Sequence, residues 1–158
     1  MGTTVVLNGL GYSLHRFFEP TIIVSNQYFY NKKRIDNIIG TLSQFKEPIT
    51  LIGFSAGANA AFEIAAELPI DHLVIHSTNN PLPREPLQSR RVQMFSTRGD
   101  RTGCAKATKM AHEYLIKTTE ATHEWIELPF KPFVQATLFE QLVLTPLKHQ
   151  FHNCLPYL

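Results

Sequence analysis

Short β-branched, apolar runs alternate along this chain with stretches in which apolar residues return every three or four positions. Thr3 to Leu7 is a run of the first kind, bounded by Asn8-Gly9, and predicts a buried strand. Thr21 to Val24, after Pro20, predicts a second. The period then changes: Ile35, Ile38, Ile39, Leu42 and Phe45 share one helical face within Lys33 to Phe45, and Pro48 closes the segment. Ile49 to Phe54 predicts a strand, and Ala56 to Leu68 an alanine-rich helix ended by Pro69. Beyond it, His72 to His76 predicts a strand, Asn79 to Arg91 a proline-rich loop, and Val92 to Phe95 a further strand. Gly103 to Thr118 is helical in composition, and Trp125 to Leu128 is the last clear strand.

Strands and helices alternating at these lengths need crossover connections. The expected architecture is α/β: a mostly parallel sheet with helices on both faces. Ligands of such sheets sit at the carboxyl ends of the strands, so a functional residue is expected just after a strand.

Composition narrows the function classes. With 158 residues and 44% hydrophobic content, the chain is expected to form one domain, 1–158, with a single core. A formal net charge of +2 is too small to argue for nucleic acid, and Lys32-Lys33-Arg34 and Arg90-Arg91 read as solvated element ends. No apolar run approaches a membrane span, and no basic region leads into an apolar signal core. Met1-Gly2 lacks the later Ser or Thr of a myristoylation signal, since Val6 stands there. Cys104 and Cys154 make no disulfide framework, so a cytoplasmic protein with reduced thiols is the expectation. Neither HExxH nor CxxC occurs, and the reading calls for no metal and no cofactor.

The chemistry concentrates in Gly53-Phe54-Ser55-Ala56-Gly57, between the apolar run and the alanine-rich helix. A Gly-x-Ser-x-Gly at a strand-to-helix turn is the pattern of a nucleophile elbow, whose glycines permit a bend sharp enough to free the serine hydroxyl. Ordinary tight turns also use Gly and Ser, but the strand before and helix after are the context the motif requires.

Such a serine needs an acid, a histidine and two backbone donors. Of three aspartates, Asp36 lies in a helix ahead of Ser55, and Asp71 precedes a strand, at the wrong edge of the sheet. Asp100 follows both Ser55 and the Val92 to Phe95 strand, and is the candidate acid, although Gly99-Asp100 also suits a turn or helix cap. Glu127 is the substitute. Among seven histidines, His15 and His72 come too early, His76 precedes the acid, His112 lies within a helix, and His123 opens a strand at the wrong end. His149 and His152 remain. His149, on a loop before a final short helix, is favoured as the base, with His152 as the alternative. For the oxyanion, the N–H of Ala56 is one donor, and Leu10 N–H, in Asn8-Gly9-Leu10-Gly11-Tyr12, is the candidate for the other.

With these parts in place, the chain resembles the α/β-hydrolase superfamily from Val5 to the C-terminus. The resemblance implies a minimal, capless α/β-hydrolase fold. Many members carry His-Gly after the first core strand where this chain has Asn8-Gly9, and many have leading antiparallel strands where Thr3 already opens the core. No cap domain fits between Thr78 and Val92. Pro129 to Leu147 is longer than the turn that usually carries the histidine. Its Phe130, Phe133, Leu138 and Phe139 suit either an extra helix and strand packed on the core or a lid over an acyl pocket.

The expected activity is hydrolysis of a small-molecule carboxylic ester or thioester through an acyl-enzyme. Acyl transfer on the same fold is the enzymatic rival, and a non-catalytic binding protein that kept the elbow is the rival of another class. A nucleotide-binding domain would want a third glycine that Gly9-Leu10-Gly11 lacks. Tyr12, Phe17, Phe18, Tyr28, Phe29 and Tyr30 cluster near the first two strands, where core packing is the expected fate of most. Oligomeric state has no signature in the sequence.

Overall fold

A computed structural model describes residues 2–8, 22–24, 30–76, 87–97 and 122–128, together with Lys109 and Glu113, both helical. In chain order the elements are β1 (Thr3–Leu7), β2 (Ile22–Val24), α1 (Lys32–Leu42), β3 (Ile49–Phe54), α2 (Ala56–Glu67), β4 (His72–His76), β5 (Arg91–Thr97) and β6 (Thr122–Leu128). The strands form one six-stranded sheet in the order β2-β1-β3-β4-β5-β6. Every pairing is parallel.

Register follows the apolar alternation. Val5 pairs with Leu51, Leu51 with Leu73, and Leu73 with Val92, which lines one face with large apolar side chains. That face packs against Ile35 and Leu42 of α1 and against Ala58, Ala61, Phe62, Ile64 and Ala65 of α2 in one core cluster. The alternate residues Val6, Ile52 and Val74 are fully buried as well. A parallel sheet with both faces buried explains why its strands read as continuous apolar runs. The expected α/β architecture is present.

Local chemistry sets the helix limits. The Asn31 side chain caps α1 by accepting the Arg34 N–H at 2.8 Å. The sequence pattern carries this helix to Phe45, yet it stops at Leu42. There the N–H groups of Gln44 and Phe45 reach back only three residues, to Thr41 and Leu42, and the Ser43 hydroxyl donates to the Gly40 carbonyl at 2.9 Å. Tightened turns of this kind close a helix while Phe45 still packs against the core. α2 ends because Leu68 precedes Pro69: the proline ring disfavours helical backbone there, and Leu68 is extended at φ −120, ψ 144.

Two strands outrun their apolar signal. β6 begins at Thr122 rather than Trp125, and β5 runs from Arg91 to Thr97, because the two pair residue for residue from Arg91–Thr122 to Thr97–Leu128. Backbone pairing carries strands through polar positions such as His123 and Glu124 that periodicity passes over. At the sheet's amino edge, exposed Arg90 lies 3.7 Å from Asp71, a surface pair that contributes little. Among the described residues no helix is long and apolar enough to cross a membrane.

Candidate active site

β3 leads directly into α2 through a single residue, Ser55, at φ 58, ψ −114. Among the described residues it is the one non-glycine with positive φ. Such torsions cost a residue with a Cβ on the order of 1–3 kcal/mol and persist where surrounding structure enforces them. The enforcement is visible. The Ser55 N–H donates to the His76 carbonyl at 2.8 Å, extending the β3–β4 ladder to the bend, while Ala58 and Asn59 donate back to the Ser55 carbonyl and start the helix. Ser55 occupies the N-cap position of α2, but its side chain makes no capping bond. Its hydroxyl is thus not spent on its own helix, and the residue is half-exposed at the carboxyl end of the sheet.

The flanking glycines are required by contact. A Cβ on Gly53 would lie 2.5 Å from the Gly57 carbonyl oxygen and 2.7 Å from the Ala58 Cα, so the strand runs directly beneath the first helical turn. A Cβ on Gly57 would be driven into the Leu7 carbonyl and would stand 3.1 Å from the Asn8 carbonyl oxygen. The first turn of α2 therefore abuts the carboxyl end of β1. Ala56 lies ahead of the first intrahelical bonds, and helix geometry gives its N–H no acceptor within the helix. The positive end of the helix dipole favours a developing negative charge there.

His76 closes the floor of this corner. Its ring is fully buried and stacks on Phe54 with centroids 4.7 Å apart. Burial drives its pKa down from the usual 6.5 to about 3, a hydrogen bond with its own backbone opposing the shift. A ring that holds a proton so weakly at neutral pH is a poor general base, and His76 is excluded from that role by environment as well as by chain order. The shift also links folding to pH. Native His76 stays neutral while the unfolded chain takes up the proton below its ordinary pKa, so this contribution is complete above about pH 6.5 and is lost as pH falls toward 3. Between pH 6.5 and 4.5, wild type is expected to lose about 2–3 kcal/mol more than His76→Gln, read from urea midpoints. Equal losses in the two proteins would show that the buried ring does not drive acid unfolding.

His72 and His123 stand at the other edge. His72 opens β4, is buried, and lies 2.6 Å (Nε2 to Oε1) from Gln93, while His123 pairs with Val92 near the start of β5. A cavity of about 430 Å³ also lies at that edge, lined by Phe45, Pro48, Leu68, Pro69, Asp71 and Arg90 among others. It is roughly 17 Å, the length of β3, from Ser55 and belongs to the amino ends of the strands, where α/β sheets do not build their sites. The opposite, carboxyl edge, where Ser55 emerges, is the candidate functional edge.

Of the residues the sequence nominates, Ser55 and Ala56 fall within the described structure, adjacent in the bend. Asp100, His149, His152 and Leu10 lie outside the described residues. The elements that lead to two of them are in place: β5 ends at Thr97 and β1 at Leu7, both at the edge where Ser55 emerges. Glu127 pairs with Ser96 one residue before β6 ends. Tyr30 gains a role that sequence did not single out, its hydroxyl donating to the Asn8 carbonyl at 2.8 Å. Nothing in local spacing separates it from the other aromatics near β1 and β2.

The fold is that of α/β-hydrolase-type thioesterases and esterases. The chain superposes on the type II thioesterase BorB from the borrelidin biosynthetic cluster with a TM-score of 0.61, 13% identity, and coverage of 94% of this chain and 90% of that one. An esterase domain from a Rhodothermus marinus protein gives 0.62 at 14% identity over 93% and 85% of the two chains. YbtT, a type II thioesterase from the yersiniabactin NRPS/PKS biosynthetic pathway, gives 0.60 at 10% identity over 94% and 92%. No protein-family model and no curated protein sequence matches the chain.

Proposed function

We propose that this protein is a serine hydrolase of small-molecule carboxylic esters or thioesters, with Ser55 as the nucleophile of an elbow. The observation that carries the reading is the backbone of Ser55: a strained φ of 58 at the carboxyl end of a central strand, ahead of a helix whose first turn abuts β1. Structural turns rarely retain such strain, whereas a nucleophile raised clear of its neighbours requires it. Likeness in fold to two thioesterases and an esterase domain supports the substrate class.

In this mechanism the base, His149 with His152 as its alternative, takes the Ser55 proton as Oγ attacks the acyl carbon. Asp100 holds the imidazole in the right tautomer and stabilises its charged form. The N–H groups of Ala56 and Leu10 hold the oxyanion, each donor being worth about 3 kcal/mol of barrier. Collapse of the tetrahedral intermediate breaks the acyl–oxygen or acyl–sulfur bond, and the imidazolium returns its proton to the departing alcohol or thiol. Water, deprotonated by the same imidazole, then attacks the acyl-serine and releases the acid. We place the activity in the cytoplasm, with no metal or cofactor taking part.

A fluorophosphonate probe tests the assignment. Wild type is expected to be labelled on Ser55, with no labelling in Ser55→Ala and labelling at least about 100-fold slower in His149→Ala. Labelling that persists in His149→Ala and vanishes in His152→Ala would transfer the base to His152. Labelling that survives Ser55→Ala would end the proposal.

A further inference from the structure

We propose that Tyr30 is a positioning residue for the carboxyl end of β1: its hydroxyl clamps the Asn8 carbonyl, against which the first turn of α2, with Ser55 and Ala56, is seated. The inference rests on the hydrolase reading for its catalytic consequence, while its structural content stands on geometry alone. β1 and β2 are paired through Leu7 and Val24, and the Asn8 N–H adds one more bond, to the Val24 carbonyl at 3.1 Å. The Asn8 carbonyl then accepts from a side chain 22 residues along the chain, the Tyr30 hydroxyl at 2.8 Å, which reaches the Val24 carbonyl only at 3.5 Å.

A peptide unit is planar and trans, so its carbonyl and the following N–H point in opposite directions. Fixing the Asn8 carbonyl therefore fixes the orientation of the peptide unit at the end of β1. That same carbonyl lies against the first turn of α2, within 3.1 Å of where a Cβ on Gly57 would stand. One peptide thus meets both the tyrosine and the helix that presents Ala56, and a tilt there shifts the first turn of α2 and the Ala56 N–H with it.

Tyr30 is itself braced. The Arg34 guanidinium covers its ring, 4.7 Å from the centroid, and Arg34 is tied through its backbone N–H to the Asn31 cap of α1. Burial raises the Tyr30 pKa from 10.0 to about 12 despite the opposing Arg34 charge, so the hydroxyl keeps its proton and remains a donor at every ordinary assay pH. The side chain cannot reach into catalysis as an acid or base under these conditions. Its effect on the reaction is on geometry.

Tyr30→Phe removes the donor and retains the ring beneath Arg34. Two readouts decide the proposal. The first is hydrogen–deuterium exchange of a proteolytic fragment spanning Val5 to Leu14, expected to quicken in Tyr30→Phe. The second is turnover of a p-nitrophenyl ester, with kcat expected to fall about tenfold and KM to stay within about twofold, as for a displaced transition-state donor. Unchanged exchange would overturn the clamp whatever the kinetics. Faster exchange with unchanged kcat would overturn its catalytic role, and so would a rise in KM alone. A wild-type protein without Ser55-dependent turnover would instead refute the hydrolase reading and the catalytic role that rests on it, leaving the exchange result to judge the clamp.

Discussion

Replacing Ser55 with glycine is expected to make the protein more stable while removing nearly all of its activity. The serine sits at φ 58, ψ −114, torsions of the first central position of a type II′ turn, which glycine adopts without penalty. Relief of this strain is worth roughly 1–3 kcal/mol, against which the extra freedom of glycine in the unfolded chain costs up to about 1 kcal/mol. A net gain on the order of 1 kcal/mol follows. Ser55→Ala retains a Cβ in the strained conformation and loses no capping bond, because the serine makes none. Urea midpoints should therefore rank glycine above alanine, the reverse of their order within helices. Both variants should lose roughly a factor of 10⁵ or more in ester turnover, the size of effect seen when a triad nucleophile is removed. Alanine proving the more stable of the two would mean that the bend does not hold this torsion in solution. Turnover in both variants within about a hundredfold of wild type would take the nucleophile elsewhere.

Strain of this kind, held at a half-buried bend at the carboxyl end of the sheet, argues for a demand on Ser55 other than folding. This favours the serine hydrolase we propose over a binding protein that merely kept a Gly-x-Ser-x-Gly pattern. A relic under no demand for a projecting hydroxyl gains stability from any drift of Ser55 to glycine. The same reasoning bears on acyl transfer, which needs the same strained serine; products formed with competing alcohols or amines, compared with those in water, distinguish the two reactions.

Much of the fold was legible from apolar spacing because the sheet is parallel and buried on both faces. Val5, Val6, Leu7, Leu51, Ile52, Leu73, Val74 and Ile75 all reach zero exposure, so their strands leave a continuous hydrophobic signature. Edges were harder to read. β6 begins three residues ahead of its apolar signal because its backbone pairs with β5 from Thr122 onward. α1 ends three residues short because Ser43 and Gln44 bond backward within a turn, a local competition that period-counting does not register. At the candidate site, the sharp bend at Ser55 and Ala56 was legible because both glycines and their order are dictated by backbone crowding within a few residues. The Tyr30–Asn8 bond was not, since it joins positions 22 apart whose meeting depends on the completed sheet. Nor was the weakness of His76 as a base, which comes from complete burial against Phe54 rather than from its neighbours in sequence.

Gly57→Ala, a change of one methyl group, is expected to be the most damaging substitution in the described fold. The added carbon meets the Leu7 carbonyl head-on and crowds that of Asn8. Neither obstacle is a side chain that could rotate away. Leu7 is held on both sides of β1, paired with Val24 of β2 and with Gly53 of β3, so relief must come from α2 lifting off the sheet. Lifting uncovers Ala58, Ala61 and Phe62, which are buried at 0–1% exposure, and moves the Ala56 N–H away from the end of β1. Overpacking alone costs about 1–3 kcal/mol, and with partial exposure of that face the total should exceed about 3 kcal/mol. Any folded remainder should react with the fluorophosphonate probe about 100-fold more slowly, since displacement of a reacting or stabilising group by about 1 Å carries that cost. Gly40→Ala provides the contrast. It lies in α1 with nothing within 4 Å of an added Cβ, so it should stabilise the helix by about 0.5–1 kcal/mol and leave labelling unchanged. If Gly57→Ala matched Gly40→Ala in stability and labelling, α2 could not be seated against β1.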